Sequence, residues 1–97
     1  MLLEDKVAIV TGAAKGMGAS IALKFAEEGA NVVIADIDLE AAKKTAAEAS
    51  AKGPEALALA CDVTSVDQVK AVVDETAMKY GTIDILVNNA GAIAKHI

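Results

Sequence analysis

The amino-acid sequence predicts an α/β fold built on a parallel β-sheet. Four short apolar runs alternate with three helix-length stretches, and each of these stretches ends at a glycine. The runs are almost continuously apolar, which is typical of strands that are covered on both faces. Parallel strands joined by helices are the arrangement that such an alternation favours.

The four apolar runs are the predicted strands. The first covers residues 6–10, and the second covers residues 32–35 and leads up to Asp36. The third and fourth cover residues 55–60 and 83–87. Their lengths suit the strands of a small sheet.

The first two predicted helices lie between the first three strands. One covers residues 17–28 and ends at Gly29. The other covers residues 39–52, begins after Asp38 as its N-cap and stops at Gly53-Pro54.

The third predicted helix covers residues 65–80 and stops at Gly81. Gln68 stands three residues after Ser65, so the two side chains are expected to form a capping box. Four valines recur at helical spacing and are predicted to face the sheet: Val66, Val69, Val72 and Val73.

Right-handed crossovers leave few ways to connect these elements. The simplest is a parallel sheet of strand order 3-2-1-4, with the first two helices on one face and the third on the other. This is part of a Rossmann-type, doubly wound sheet, in which ligands bind at the carboxyl ends of the strands near the switch point. That point lies between the first and fourth strands.

The composition excludes several classes of function. The chain has 97 residues and a net charge of −5, and its nine cationic residues give no basic face for nucleic acid. No apolar run is long enough to span a membrane, and the N-terminus is acidic where a signal peptide is basic. Cys61 is the one cysteine and is expected to be a small buried residue at a strand end. We therefore expect a cytoplasmic protein without a nucleic-acid or membrane partner.

The stretch TGAAKGMG, residues 11–18, lies between the first strand and the first helix. A glycine-rich turn at this place exposes backbone N–H groups at the positive end of a helix dipole, which favours binding of phosphate. Gly12 would allow a tight exit from the strand, Gly16 the approach of a pyrophosphate, and Gly18 close packing of the helix on the sheet. The spacing alone is weak support, because glycines in turns are often only structural.

Three further motifs follow the other strands. Asp36 stands about twenty residues after the loop, where a carboxylate can accept hydrogen bonds from ribose hydroxyls. Asp62 and Val63 follow the third strand, where a carboxylate and an amide can meet an adenine ring. NNAG, residues 88–91, follows the fourth. Each has a plainer explanation, since Asp36 suits a helix N-cap or an exposed turn, Asp62 suits a turn before the Ser65 cap, and NNAG suits a simple turn.

Together these motifs resemble the amino-terminal half of a short-chain dehydrogenase/reductase of the ordinary, non-extended type. The likeness covers the whole chain. It implies that residues 1–97 form a single dinucleotide-binding half-domain that stops before the catalytic half.

The resemblance also implies which residues bind the dinucleotide. The phosphates lie along the glycine-rich turn, the adenosine ribose lies at the end of the second strand, adenine lies at the end of the third, and the cofactor riboses lie beside NNAG. The predicted cofactor-binding residues are Gly12, Lys15, Gly16, Met17, Gly18, Asp36, Ile37, Asp62, Val63, Asn89, Ala90 and Gly91. Asn88 is expected to be structural, because in this family it mainly ties neighbouring strands together.

Charge favours NAD over NADP as the cofactor. Asp36 would repel a 2′-phosphate and use the free hydroxyls instead. Lys15 has the opposite effect, because some NADP-preferring relatives carry a basic residue at this place, whereas Ile37 offers no second cation. We predict that Asp36→Ala raises the affinity for NADP.

The family's reaction is hydride transfer between the nicotinamide and a carbonyl or secondary alcohol. The resemblance implies that the reaction uses a serine, a tyrosine and a lysine four residues after the tyrosine. The lysine lowers the pKa of the tyrosine, because an unassisted phenol is a poor base at neutral pH. Tyr80 is the one tyrosine, Asp84 stands four residues later, and we expect Tyr80 to pack in the core. His96 has no neighbouring carboxylate and is expected to be exposed. We predict no catalytic residue and no metal ligands in this chain.

Three hypotheses remain open. The chain is the cofactor-binding half of an NAD(P)-dependent oxidoreductase, a dinucleotide-binding or assembly fragment without chemistry, or a structural remnant that binds nothing. The resemblance favours the first, with a small carbonyl or alcohol as substrate and a homo-oligomeric assembly, but it does not identify the substrate. In each case the fourth strand would be an open edge, and the third helix would lack neighbours on its face of the sheet.

Overall fold

The computed structural model describes residues 1–89, which form a four-stranded sheet and three helices. The strands are β1 (Val7–Thr11), β2 (Asn31–Asp36), β3 (Leu57–Ala60) and β4 (Ile85–Asn88). The helices are α1 (Gly16–Glu27), α2 (Leu39–Lys52) and α3 (Val66–Tyr80). Every predicted element is present, and its ends differ from the predicted ones by at most two residues.

The sheet is parallel and has the order β3-β2-β1-β4, so the predicted topology is confirmed. Alternate side chains of the strands point to opposite faces. Val10 and Ile34 pack in a cluster with the alanines of α1 and α2, whereas Ile9 and Val33 pack with Val72 of α3. The first two helices therefore cover one face and the third helix covers the other, as predicted.

Helices α2 and α3 begin at side-chain caps. Asp38 accepts a hydrogen bond from the Ala41 N–H at 3.1 Å, and Ser65 accepts one from the Gln68 N–H at 3.2 Å. The predicted capping box is only half formed, because the Gln68 side chain turns to the loop and accepts the Asp62 N–H at 2.8 Å. The Ser65 N–H donates instead to the Asp62 carbonyl.

The prediction that four valines of α3 face the sheet is wrong for three of them. Val72 is 4% exposed, but Val66 is 81% exposed, and Val69 and Val73 are also exposed. Val72 and Thr76, one turn apart, form the buried row of α3, and Val72 packs against the sheet. The other valines lie beside this row, and no described element covers them.

Strand β4 lies at one edge of the sheet, as predicted. Asp84 joins its start to β1, since the carboxylate accepts the Val7 N–H at 2.9 Å and the Asp84 N–H donates to the Val7 carbonyl. Leu86 is 60% exposed, so part of this edge strand is uncovered. None of the helices within residues 1–89 has the length and apolarity needed to cross a bilayer.

Candidate functional site

A cleft of about 170 Å³ lies where β1, β2 and β3 end. It is lined by Gly12, Asp36, Ile37, Cys61, Asp62 and Val63. Five of these were predicted from sequence as binding residues, and the parallel sheet brings them together because the carboxyl ends of parallel strands share one edge. The sixth, Cys61, is 4% exposed and is therefore buried, as predicted, although it also contributes to the cleft wall.

The glycine loop, residues 12–15, connects β1 to α1. Gly12 and Gly16 have φ angles of +63° and +65°, which side-chain-bearing residues rarely adopt. The Gly12 N–H donates to the Ala35 carbonyl at 2.9 Å, so the loop begins as a tight turn against β2. A β carbon placed on Gly16 would meet no atom within 4 Å, so the space beside this residue is open.

Gly18 has a different reason to be glycine. A β carbon there would overlap the Gly12 carbonyl oxygen and lie 2.6 Å from Asn89 Nδ2. Helix α1 therefore approaches the end of β1 more closely than any other residue would allow, which is the packing role predicted for Gly18.

Helix α1 begins without a side-chain cap. Its N-cap residue is Lys15, whose side chain makes no capping hydrogen bond, and its first turn contains no acidic residue. The first N–H groups of a helix need acceptors, and the helix dipole makes this end positive. An anion is the ligand that suits this helix end.

Asp36 joins the end of β2 to the glycine loop. One carboxylate oxygen accepts the Ala14 N–H at 3.1 Å, and the other accepts the Asp38 N–H at 2.9 Å. Asp36 does not cap α2, since Asp38 does so. Its carboxylate therefore lines the cleft and also fixes the loop.

Asp62 forms a turn at the end of β3. Its Oδ1 accepts hydrogen bonds from the Thr64 hydroxyl at 2.7 Å and the Thr64 N–H at 2.9 Å, and these lower the pKa of the carboxyl. Burial raises the pKa of the neighbouring Cys61 thiol, and the negative charge of Asp62 adds to this effect. The cleft therefore has an acidic turn beside a thiol that stays protonated.

Two asparagines at the end of β4 have different partners. The Thr11 hydroxyl donates to Asn88 Oδ1 at 3.1 Å and joins β1 to β4, which confirms the structural role predicted for Asn88. Asn89 Nδ2 donates to the Gly12 carbonyl at 3.2 Å, so Asn89 lies against the glycine loop. Ala90 and Gly91, predicted to bind the cofactor, lie outside the described residues, as does His96.

Lys15 and Met17 are predicted binding residues that do not line the cleft. Both lie at the start of α1 and are exposed, and Met17 is 72% exposed. Ile37 is also exposed but does line the cleft. Apart from Asn89, the predicted binding residues among residues 1–89 thus lie either in the cleft or at the start of α1.

Tyr80 lies away from this edge of the sheet. It ends α3, the helix that leads into the start of β4, and packs in the cluster beneath the sheet. Its hydroxyl donates to the Glu55 carbonyl at 3.4 Å, and burial, with a smaller effect of Glu55, raises the pKa of Tyr80. A raised pKa is the opposite of what a catalytic base needs. Residues 1–89 also contain no group of side chains arranged to hold a metal ion.

One residue near the loop was not found from the sequence. Thr45 of α2 is 3% exposed, and its hydroxyl donates to the Ala14 carbonyl at 2.7 Å. The sequence feature that could have identified Thr45 is a single threonine among alanines on the buried side of α2.

The comparison with protein families decides the family. Residues 6–97 match the sequence profile of the family described as short chain dehydrogenase. The chain belongs to the short-chain dehydrogenase family. The family inferred from the motifs is therefore confirmed.

Members of the short-chain dehydrogenase family share this chain's sequence and fold over part of their length. Galactitol 2-dehydrogenase of Agrobacterium fabrum is 52% identical over 90 residues, which cover 93% of this chain and 34% of that protein. 7alpha-hydroxysteroid dehydrogenase of Escherichia coli is 46% identical over 89 residues, which cover 92% and 35%. A crystal structure of hydroxysteroid dehydrogenase from Escherichia coli has a TM-score of 0.88 to this chain at 46% identity and covers 92% of this chain and 36% of its own.

This short-chain dehydrogenase chain spans about a third of the length of the curated relatives it matches. The names of those relatives refer to a sugar alcohol in one case and a steroid in another, at similar levels of identity. The matched third is therefore common to enzymes whose names give different substrates.

Proposed function

We propose that this chain binds a nicotinamide dinucleotide, preferring NAD to NADP, as the cofactor-binding part of an oxidoreductase that interconverts a secondary alcohol and a ketone. The observation that carries this proposal is the cleft, in which Gly12, Asp36 and Asp62 meet beside the uncapped start of α1. Membership of the short-chain dehydrogenase family supports the same conclusion.

The residues present fit a dinucleotide. The uncapped first turn of α1 and the open space at Gly16 suit the pyrophosphate, because both offer N–H groups without a side chain in the way. Asp36 would hold the adenosine ribose, and Asp62 with Val63 would flank adenine. The cleft volume of about 170 Å³ is below the range of about 300–1,000 Å³ for complete small-molecule pockets, so the cleft would hold only one end of the cofactor.

The preference for NAD rests on charge. Two like charges about 5 Å apart repel by roughly 1–3 kcal/mol near a protein surface, and a 2′-phosphate beside Asp36 would be in this position. Lys15 is exposed and lies at the start of α1 rather than in the cleft, so it offsets Asp36 only partly.

When a dinucleotide is bound, its nicotinamide would supply or accept a hydride. The residues of this chain bind and orient the cofactor, and Asp36 also positions the loop. Tyr80 is partly buried against the cluster beneath the sheet and does not line the cleft, so we assign proton transfer to residues other than those of the described part. We further propose a cytoplasmic, homo-oligomeric protein, which the single cysteine and the exposed valines of α3 support.

A second candidate is a dinucleotide-binding module without chemistry. In the residues given, Asp84 follows Tyr80 at the position where a Tyr-x-x-x-Lys motif has its lysine, so these residues alone fit binding without chemistry as well. Coding sequence that continues past residue 97 into a serine and a Tyr-x-x-x-Lys motif would decide for the enzyme, and a separate chain carrying them would decide for the module.

The cofactor proposal is tested by titrating the chain with NADH and NADPH and following nucleotide fluorescence. We expect saturable binding of both, with the lower Kd for NADH. Lack of a saturable signal at millimolar NADH would refute dinucleotide binding, and tighter binding of NADPH would refute the preference for NAD.

A further inference from the structure

We propose that Thr45 is a positioning residue for the glycine loop, and that its hydroxyl holds the loop in the conformation that binds the dinucleotide. This inference rests on the proposed function. Thr45 lies in the middle of α2, 31 residues from its partner in the sequence. Its hydroxyl donates a 2.7 Å hydrogen bond to the Ala14 carbonyl, and both groups are buried.

Ala14 is held on both sides. Its N–H donates to Asp36 at 3.1 Å, and its carbonyl accepts from Thr45, so the two peptide groups that flank Ala14 are both fixed. A trans peptide is planar, and its N–H points opposite to its carbonyl. The Thr45 bond therefore directs the Lys15 N–H away from α2. Lys15 is the N-cap of α1, so the orientation of the uncapped helix start depends on this peptide.

The hydroxyl is unusual for its place in the fold. The other buried residues of α2 are alanines: Ala42, Ala46 and Ala49. Alanine is a better helix former than threonine, and a hydroxyl in an apolar interior is unfavourable unless it is hydrogen bonded. Thr45 is thus less favourable in α2 than alanine, and its hydrogen bond to the Ala14 carbonyl of the loop offsets this difference in free energy.

Thr76 provides the matched control. It is also a fully buried helical threonine, but its hydroxyl donates to a carbonyl of its own helix, four residues earlier, at 2.7 Å. Removing that hydroxyl leaves the glycine loop untouched. Thr45→Val and Thr76→Val therefore delete the same group from two buried helix positions, and only one of them contacts the site.

The test is NADH titration of wild type, Thr45→Val and Thr76→Val, with a thermal melt of each. Loss of the hydrogen bond from Thr45 lowers the fraction of molecules whose glycine loop has the binding conformation. The apparent Kd rises in inverse proportion to that fraction. We expect Thr45→Val to raise the Kd for NADH by about five- to tenfold, since the Ala14 carbonyl is left buried without a partner. Thr76→Val should leave the Kd unchanged. Equal Kd values for wild type and Thr45→Val, or an equal loss in Thr76→Val, would overturn the inference.

A second pair of variants covers the case in which Thr45→Val does not fold. Thr45→Ser keeps the hydroxyl, whereas Thr45→Cys has a thiol, a weak donor, in its place, and both variants lack the γ-methyl of threonine. The serine variant should bind NADH like wild type and the cysteine variant should bind several-fold more weakly, whereas equal affinities would refute the role of the hydroxyl. If wild type itself fails to bind NADH, the proposed function fails, and this inference fails with it. If wild type binds and the variants do not differ, only this inference fails.

Discussion

Replacing Gly18 by alanine should destabilise the protein, although alanine is the better helix former. The new β carbon would overlap the Gly12 carbonyl oxygen and lie 2.9 Å from the Gly12 carbonyl carbon and 2.6 Å from Asn89 Nδ2. Real β carbons essentially never lie within 3.0 Å of a heavy atom that belongs to neither their own residue nor its chain neighbours. Two of the three atoms belong to the backbone and cannot rotate away, so α1 would have to move off the end of β1.

The expected loss of stability is about 2 kcal/mol. Overpacking of this kind costs about 1–3 kcal/mol, and moving the Asn89 amide aside breaks its hydrogen bond to Gly12, for about 1 kcal/mol more. The higher helix propensity of alanine offsets about 1 kcal/mol. In a domain of this size 1 kcal/mol shifts Tm by about 4–8 °C, so Gly18→Ala should melt about 8–16 °C below wild type.

The measurement is a thermal melt followed by circular dichroism, with Gly16→Ala as the control. The control β carbon meets no atom, but φ of +65° makes alanine there unfavourable by about 1–2 kcal/mol. In the Gly18→Ala protein, a second substitution Asn89→Ala should restore part of the lost stability, because it removes the side-chain amide that the new β carbon overlaps. The same substitution should restore none of the stability that Gly16→Ala loses, because no clash with that amide occurs there. A Gly18→Ala protein that melts at or above the wild-type Tm would refute the close approach of α1 to the loop.

Four further predictions concern the cleft. Asp36→Asn should shift the ratio of NADPH to NADH affinity by about tenfold toward NADPH. Asp38→Asn removes the same charge and keeps a good N-cap, so it should leave this ratio unchanged. Equal shifts for the two variants would show that the net charge of the protein, and not the position of Asp36, determines the nucleotide preference. Burial raises the pKa of the Cys61 thiol above 9.0, so iodoacetamide should react slowly at pH 7.5, and fast alkylation of the folded chain would contradict this burial. The stability that Cys61 contributes is present below pH 9 and lost as the pH rises through its folded pKa, so urea unfolding should show a smaller alkaline loss in Cys61→Ala than in wild type. Thr64→Val should raise the pKa of Asp62 toward 3.8, measured by carbon NMR of the carboxyl, and an unchanged pKa would show that the hydroxyl bond is not its main cause.

The order of the strands and most of the cleft were predictable because they depend on local patterns and on one geometric rule. Apolar runs and the glycines after the helices mark the elements. The carboxyl ends of parallel strands then share one edge, and this places Asp36 and Asp62 beside Gly12 without any knowledge of side-chain packing.

The positions of the α3 valines were not predictable in this way. Helical spacing shows that Val66, Val69 and Val73 lie close to Val72 on one side of the helix, but not how wide the contact with the sheet is. Within residues 1–89, the buried residues of α3 are Val72 and Thr76, and Tyr80 packs against the same cluster as Val72. An apolar pattern therefore reports which face can be buried, and the neighbouring elements decide how much of it is.

The conformation of the glycine loop also depends on residues that are distant in the sequence. Glycines give the loop the φ angles it needs, but they also increase the conformational entropy that the loop loses when it becomes ordered. Asp36 of β2, Thr45 of α2 and Asn89 after β4 each bond to a backbone group of Gly12 or Ala14. These bonds order the loop before a ligand arrives, so less entropy is lost on binding. The glycines thus determine which conformation is possible, and the three hydrogen bonds from other elements determine how often the loop adopts it. On the proposed function, they thereby also determine how tightly a dinucleotide binds.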